Sequence, residues 1–415
     1  MRKLALSFCI LFMSSLCFSQ TDDSLMIRRI ADEILLNGKA YDNLHDLTKN
    51  IGGRLTASPG FYKAIKWGMK TIQQSGADKT WLQECMVPHW VRGGKDQAFA
   101  SFNPGEKMKI NKGTMRNVDV IALGNSMGTG PKGVKADVIE VASFDDLENK
   151  KDLIKGKIVF YNYKFNPTFI NTFQAYVDAV PYRGNGPSRA AKYGAAAVIV
   201  RSMSHSTDNN PHTGSLRYDT TLPEIPAVAI GLKDADWLSG QLKMTTVGIS
   251  LYTNGHFLPD TVGDNVIGEL AGSEFPDQYI TVGGHLDSWD PAEGANDDGS
   301  GVVQTIEILR TFKALGYKPK HTIRFVLFAN EENGLRGGTK YAEQAKEKNE
   351  KHIFALESDA GSFTPREFNF GGTPEQLQKV RSWIPLLLPY GVYQINDGGG
   401  GADVSPLKTN LNTPV

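Results

Sequence analysis

The chain has 415 residues, with 45 Lys+Arg against 45 Asp+Glu, so its formal net charge is zero, and 40% of it is hydrophobic. That balance argues against a nucleic-acid binder, which needs a basic excess somewhere on its surface, and 10% aromatic with 22% charged residues match a globular chain in preference to a disordered one. One hydrophobic core rarely serves this length, so two compact units are expected.

The chain opens MRKLALSFCILFMSSLCFSQ, in which Arg2 and Lys3 precede an apolar run from Leu4 to Phe18, and Cys17 and Ser19 are small residues around a cut. This predicts a secretory signal peptide over 1–19, cleaved after Ser19. A membrane anchor would need roughly 20 apolar residues, more than this run holds. A lipoprotein signal through Cys17 would need a small residue where bulky Leu16 stands. Cys9 and Cys17 leave with the signal, so Cys85 remains alone and the exported protein has no internal disulfide. The product is expected outside the cytoplasm, secreted or periplasmic, with no membrane contact after signal removal.

After the signal, Leu25, Ile30, Ile34, Leu35, Leu44 and Leu47 recur at helical spacing and predict two amphipathic helices. RLTASPGFYKAIKWGMKTIQQSG predicts another, closed by Gly76. Beyond Trp81 the texture turns to short strands, among them IKGKIVFYNY, GAAAVIVRS led by the helix SRAAKYG, and PEIPAVAIG. From about Asp260 it changes again. DQYITVGGH reads as a strand, GSGVVQTIEILRTFKALG as a helix, HTIRFVLFAN as a strand, LRGGTKYAEQAKEK as a helix and HIFALESD as a strand. That order predicts an α/β unit with a mainly parallel mixed sheet and helices on both faces.

Each of these strands ends on a candidate ligand: His285 after YITVGG, Glu331 and Glu332 after FVLFAN, and Asp359 after FALES. In open parallel sheets the ligand crevice lies beyond the carboxyl ends of the strands, where these side chains would converge. Asp297, in GANDDGSG, stands just ahead of the first helix. Singly, each residue has an ordinary reading: a hydrogen-bonded surface imidazole, an N-cap, a solvated turn. Together, one imidazole and several carboxylates at one sheet edge suit zinc, with two ions if one carboxylate bridges.

GGHLDSWD at 283–290, GANDDGSG at 294–301, ANEENGLRGG at 329–338 and ALESDAG at 355–361 make the chain similar to the co-catalytic zinc exopeptidases of the aminopeptidase class, nearest to their plasma glutamate carboxypeptidase branch. The resemblance implies two zinc ions bridged by Asp297, with His285 and Asp359 completing one and Glu332 binding the other. It implies that Glu331 is the general base, that Asp287 holds the second ring nitrogen of His285, and that the Asp297–Asp298 peptide bond is cis. The GSG after Asp298 would let the backbone pass close to the site.

The family's second zinc has one more ligand, a histidine near the C-terminus, and here no histidine follows Asp359. A chain ending LNTPV, on an apolar strand-like segment, is therefore expected to be a truncated product lacking that ligand. His321 and His352 each begin a strand at the opposite edge and read as structural. Residues 118–255 resemble a protease-associated domain inserted in a discontinuous peptidase domain of 20–117 and 256–415, and in this family the insert covers the cleft. His205 and His212, in SMSHSTDNNPHTG, read as a mobile polar loop in preference to a surface metal pair. NDGGGGADVSP at 396–406 is expected to form a flexible pocket wall; as a phosphate cradle it lacks the Lys and the following helix of a P-loop.

The leading expectation is thus a secreted di-zinc exopeptidase hydrolysing dipeptides or short peptides with a free N-terminus, with peptide as partner, no nucleic acid, and homodimerisation implied by the resemblance. Two alternatives share the fold: a single-zinc glutaminyl cyclase, against which the DDGSG motif speaks, and a non-catalytic scaffold of transferrin-receptor type, which would have lost metal ligands.

Overall fold

The computed structural model describes residues 22–102, 114–359 and 361–415; the signal peptide expected over 1–19 lies outside them. The chain forms two compact units, one running up to Val87 and resuming over Thr261–Val415, the other Pro88–Asp260. The second unit begins earlier than the change of texture suggested. Gln97–Phe102 pairs antiparallel with Val247–Tyr252 and with Thr114–Val118, so residues placed with the peptidase domain up to 117 are strands of the insert's sheet. The strand Lys79–Val91 runs across the division unbroken, which hid it.

The first unit is built on five strands: β1 (Lys79–Val91), β2 (His256–Leu270), β3 (Phe275–His285), β4 (His321–Phe328) and β5 (Lys351–Glu357), in the spatial order β1-β2-β4-β3-β5. β3 pairs parallel with β4 on one side and with β5 on the other, while β2 pairs antiparallel with β4. The parallel centre follows from the helical crossovers α2 (Ser300–Ala314) between β3 and β4, and α3 (Arg336–Glu347) between β4 and β5.

Strand alternation sorts the core into two layers. Ile323, Phe325 and Leu327 of β4 pack with Val302, Ile306 and Leu309 of α2 and with Phe61, Ile65 and Ile72 of a preceding helix (Pro59–Gln74). Val326 and Phe328 face the other way, against Tyr341, Ala342 and Ala345 of α3 and Leu407 of a short helix Ser405–Leu411. Helices therefore lie on both faces, as the apolar run Phe325–Phe328 at the end of β4 requires. The Pro59–Gln74 helix starts where Ser58 accepts a hydrogen bond from the Phe61 amide, and Gly76 follows its end in the left-handed region at φ 92°. Residues 22–37 are helical, then Ala40–His45; Leu35, read as part of an apolar stripe, is 82% exposed. Among the described residues no helix is long and apolar enough to cross a membrane.

The insert centres on an eight-stranded sheet. Its strands Val134–Val141, Ile158–Tyr161, Ala197–Arg201 and Ala227–Ile230 pair parallel in succession. Ile158 and Phe160 face one core while Val159 and Tyr161 face a second.

Candidate active site

Because β3 lies between β4 and β5, the carboxyl ends of the three strands are neighbours. His285 is the last residue of β3, opposite Phe328. Glu331 and Glu332 follow β4 in a turn opened by Asn330 at φ 64°, and Asp359 stands two residues beyond the end of β5.

The His285 ring is wholly buried. Its Nδ1 lies 3.0 Å from the Asp287 backbone carbonyl, which can only accept, so Nδ1 carries the proton and donates. Nε2 then points at Asp297 Oδ1, 3.0 Å away, and Asp359 Oδ1, 3.2 Å away. Among the described residues these three side chains form the cluster whose ligand atoms all lie within 4.8 Å of one another. Two carboxylate oxygens on one ring nitrogen require positive charge between them, a second ring proton or a metal cation. Burial by itself opposes the charged ring, but its bonds to Asp297 and Asp359 prevail and hold its pKa well above 6.5. One nitrogen and two carboxylates are a donor set that fits zinc.

The Asp297–Asp298 peptide bond is cis. Asp297 keeps an exposed side chain at the cluster, whereas Asp298 is buried and binds inward: Oδ2 accepts from the His285 amide and Oδ1 from the Gly301 amide, both at 2.9 Å. Burial raises the Asp298 carboxyl well above its ordinary range. Gly301 is where helix α2 comes closest: a Cβ there would collide with the Ser358 carbonyl and meet both Asp298 oxygens at 2.5 Å. Gly301→Ala is expected to destabilise by about 1–3 kcal/mol through overpacking and to loosen metal binding, both readable by denaturant titration with and without zinc; an unchanged midpoint would contradict the contact.

Asp287 does not act as the resemblance implied. Its carboxylate stays 3.8 Å from His285 Nδ1, and its backbone carbonyl accepts the hydrogen bond from the Nδ1 proton in its place. The carboxylate, fully buried, accepts from the Glu331 amide (3.0 Å), the Glu332 amide (3.2 Å) and the Thr56 hydroxyl (2.9 Å). Asp287 therefore ties the turn after β4 to the loop after β3 and sets the position of both glutamates. Burial pushes the Glu331 carboxyl up to about 7, with Asp359, Asp287 and Asp297 adding to the rise against the pull of His285. Glu332 is raised well above its usual range by burial and then by Asp297, and it stands outside the three-residue cluster.

Arg54 is a site residue the sequence reading passed over. It is fully buried and donates from Nε to the Leu286 carbonyl (2.8 Å), from Nη1 to the Glu293 and Gly52 carbonyls (2.7 and 3.2 Å), and from Nη2 to the Gly294 carbonyl (2.9 Å). Burial lowers its pKa to about 10, opposed by Asp287, Asp298, Glu332 and Asp297. A guanidinium thus laces the 286–294 loop together beneath an acidic centre. A GGR preceding a helix by four residues marks an arginine near a turn, but nothing local says that it is buried.

His352 is structural: Nδ1 lies 3.0 Å from Thr281 Oγ1 and Nε2 3.3 Å from Glu350 Oε2. His321 stacks on Phe275 at 4.9 Å. The glycine-rich segment is anchored at its far end, where the Asp403 and Val404 amides donate to Glu357 Oε2 at 3.0 and 3.2 Å, and, unlike the sequence reading, a helix (Ser405–Leu411) does follow it.

Burial raises Glu331 and Glu357 to about 7, so in the metal-free chain each keeps its proton at a pH where the unfolded chain, with a value of 4.5, has released it. Their contribution to stability is therefore full below about pH 4.5 and falls as pH rises toward 7. Metal-free protein is expected to have a higher urea midpoint at about pH 5 than at about pH 7.5, the difference amounting to a few kcal/mol at ~1.4 kcal/mol per pKa unit. Equal midpoints would mean that these carboxyls are solvated.

Residues 265–400 match the model of peptidase family M28. Human carboxypeptidase Q is 35% identical over 371 residues, covering 88% of this chain and 74% of that protein. The chain belongs to peptidase family M28. Carboxypeptidase Q of Xenopus laevis is also 35% identical, over 90% of this chain and 76% of its own length. Among solved structures, the M28 peptidase precursor of Shewanella amazonensis superposes with a TM-score of 0.87 at 32% identity, over 95% of this chain and 87% of that one. A zinc aminopeptidase of Bacillus subtilis, at 20% identity and a TM-score of 0.60 over 90% and 82% of the two chains, shares the fold. The M28 match spans His285, Asp297, Glu331, Glu332 and Asp359 together.

Proposed function

We propose that this chain is a zinc-dependent exopeptidase that cleaves dipeptides or short peptides with a free N-terminus. The observation that carries the reading is His285 Nε2 facing two carboxylates, Asp297 and Asp359, with the raised Glu331 carboxyl at the end of the neighbouring strand. His285, Asp297 and Asp359 would hold one ion, and Asp297 with Glu332 a second. Zinc, when bound, polarises a carbonyl and makes water acidic near neutral pH.

The chain's own residues supply the rest. Asp287 fixes the backbone of both glutamates, so Glu332 can be held while Glu331 keeps a free carboxylate to take a proton and later return it to the leaving amine. The Asp287 carbonyl fixes the His285 tautomer. An acidic cluster would also attract a substrate ammonium, which favours substrates with a free amino end. The basic-then-apolar start of the chain supports export, and the insert fits the reading as a protease-associated domain.

The test is hydrolysis of a free-amine dipeptide beside its N-acetylated twin, with zinc and after chelation. Zinc-dependent cleavage of the free-amine form alone is the expected result. Cleavage of neither by folded, zinc-loaded protein would overturn the reading.

A further inference from the structure

The insert holds a cavity of about 290 Å³ that plays no part in the site above. It opens beyond the carboxyl ends of three adjacent parallel strands. Ile158–Tyr161 leads to Lys164 and Phe165, Ala197–Arg201 ends on Arg201 and continues into the loop with His205 and Asp208, and Ala227–Ile230 leads to Lys233 and Asp236. That edge of an open α/β sheet is where ligands are usually bound. The polar loop whose histidines drew attention in the sequence is one of its walls.

The lining has a definite charge logic. Arg201 is only 9% exposed, and its Nη1 is shared between Asn162 (3.2 Å) and Asp236 (2.7 Å), which neutralises one of the two acids. Lys164 and Lys233 make no hydrogen bond or close ion pair among the described residues; their charges act on Asp236 and Asp208 from a distance, so both ammonium groups keep room for a ligand anion. Asp208, held by the Ser206 hydroxyl at 2.5 Å and the Asn210 amide at 2.8 Å, is the remaining acid. His205 meets Phe165 edge-on at 4.7 Å and gives one side an aromatic surface. The volume lies just below the range for drug-sized ligands and suits a smaller one. Three cations against two carboxylates, with Asp208 not bound to the arginine and keeping lone pairs beyond its two hydrogen bonds, favour a molecule with carboxylate and ammonium groups over a simple anion.

We propose that the insert binds a free amino acid in this cavity, its carboxylate drawn to Lys164 and Lys233 and its ammonium to Asp208. The site is independent of the exopeptidase reading and stands or falls without it.

The test is calorimetric titration of the full chain with L-glutamate, with glutarate, which lacks the ammonium, and with inorganic phosphate. Saturable binding of glutamate is expected, weakened at least about tenfold, or ~1.4 kcal/mol, by the double reversal Lys164→Glu/Lys233→Glu. Asp208→Asn is expected to weaken glutamate and leave glutarate unchanged. All are surface changes, and circular dichroism checks the fold. Binding that survives the double reversal belongs to another place on the chain and overturns the proposal, as does the absence of binding at millimolar glutamate. Phosphate bound more tightly than glutamate, with Asp208→Asn neutral, overturns the amino-acid assignment in favour of a plain anion site.

Discussion

Glu331→Gln is expected to lower kcat by about 10²–10⁴-fold while zinc content and the urea midpoint of the zinc-loaded protein at neutral pH change little. The substitution keeps the shape of the side chain and the backbone amide that Asp287 holds, and removes only the capacity to accept a proton. KM should move far less than kcat, since Glu331 stands outside the cluster of ligand atoms. In the parent enzyme a base must be ionised to act, so kcat/KM should fall on the acid side. Bound cations would draw that limb below the value of about 7 that burial gives the metal-free carboxyl. A Glu331→Gln enzyme with kcat within a factor of about three of the parent would remove Glu331 from the chemistry.

Arg54→Met is expected to destabilise the peptidase unit by about 3–5 kcal/mol, because four backbone carbonyls lose their donor and four nearby carboxylates lose a buried cation. Arg54→Lys restores the charge, yet a single ammonium cannot reach carbonyls on both strands of the loop as the planar fork does. The lysine variant should therefore fold, exchange the amides of residues 286–294 faster than the parent, and bind zinc more weakly. Parent-like exchange in both variants would mean that the loop holds itself. With two compact units in one chain, exchange resolved along the sequence is the suitable readout, since a single unfolding midpoint averages them.

That the candidate site residues stand at neighbouring strand ends was legible in the sequence for a plain reason. A helical crossover between parallel strands returns every strand to the same edge, so His285, Glu331 and Asp359 had to lie at one edge of the sheet once β3, α2, β4, α3 and β5 were recognised. What the sequence hid was the wiring behind them. Asp287 sits two residues from His285, which suggested a direct imidazole–carboxylate bond; the chain instead turns its backbone carbonyl to the ring and spends the carboxylate on amides 44 and 45 residues away. Arg54 and its Leu286 partner are 232 residues apart, and no periodicity or local motif spans such a distance. The start of the insert was misplaced because composition changes where strands become short, whereas the units divide where hydrogen-bonded partners change.

That last separation also governs how the molecule can be made. Phe61, Ile65 and Ile72 share a core with Leu309, Phe325 and Leu327, and the whole insert is synthesised between the two groups. At roughly 5–20 residues per second, Arg54 emerges some ten seconds or more before Leu286 exists. Through that interval the first apolar helix has no core to enter, while the insert, continuous in sequence, can already close on itself. The order of the chain therefore leads us to expect that the insert folds first and the discontinuous unit only after its second half arrives. Fusing the two halves directly, with the insert cut out, would shorten the wait and expose how much of the chain's yield depends on it.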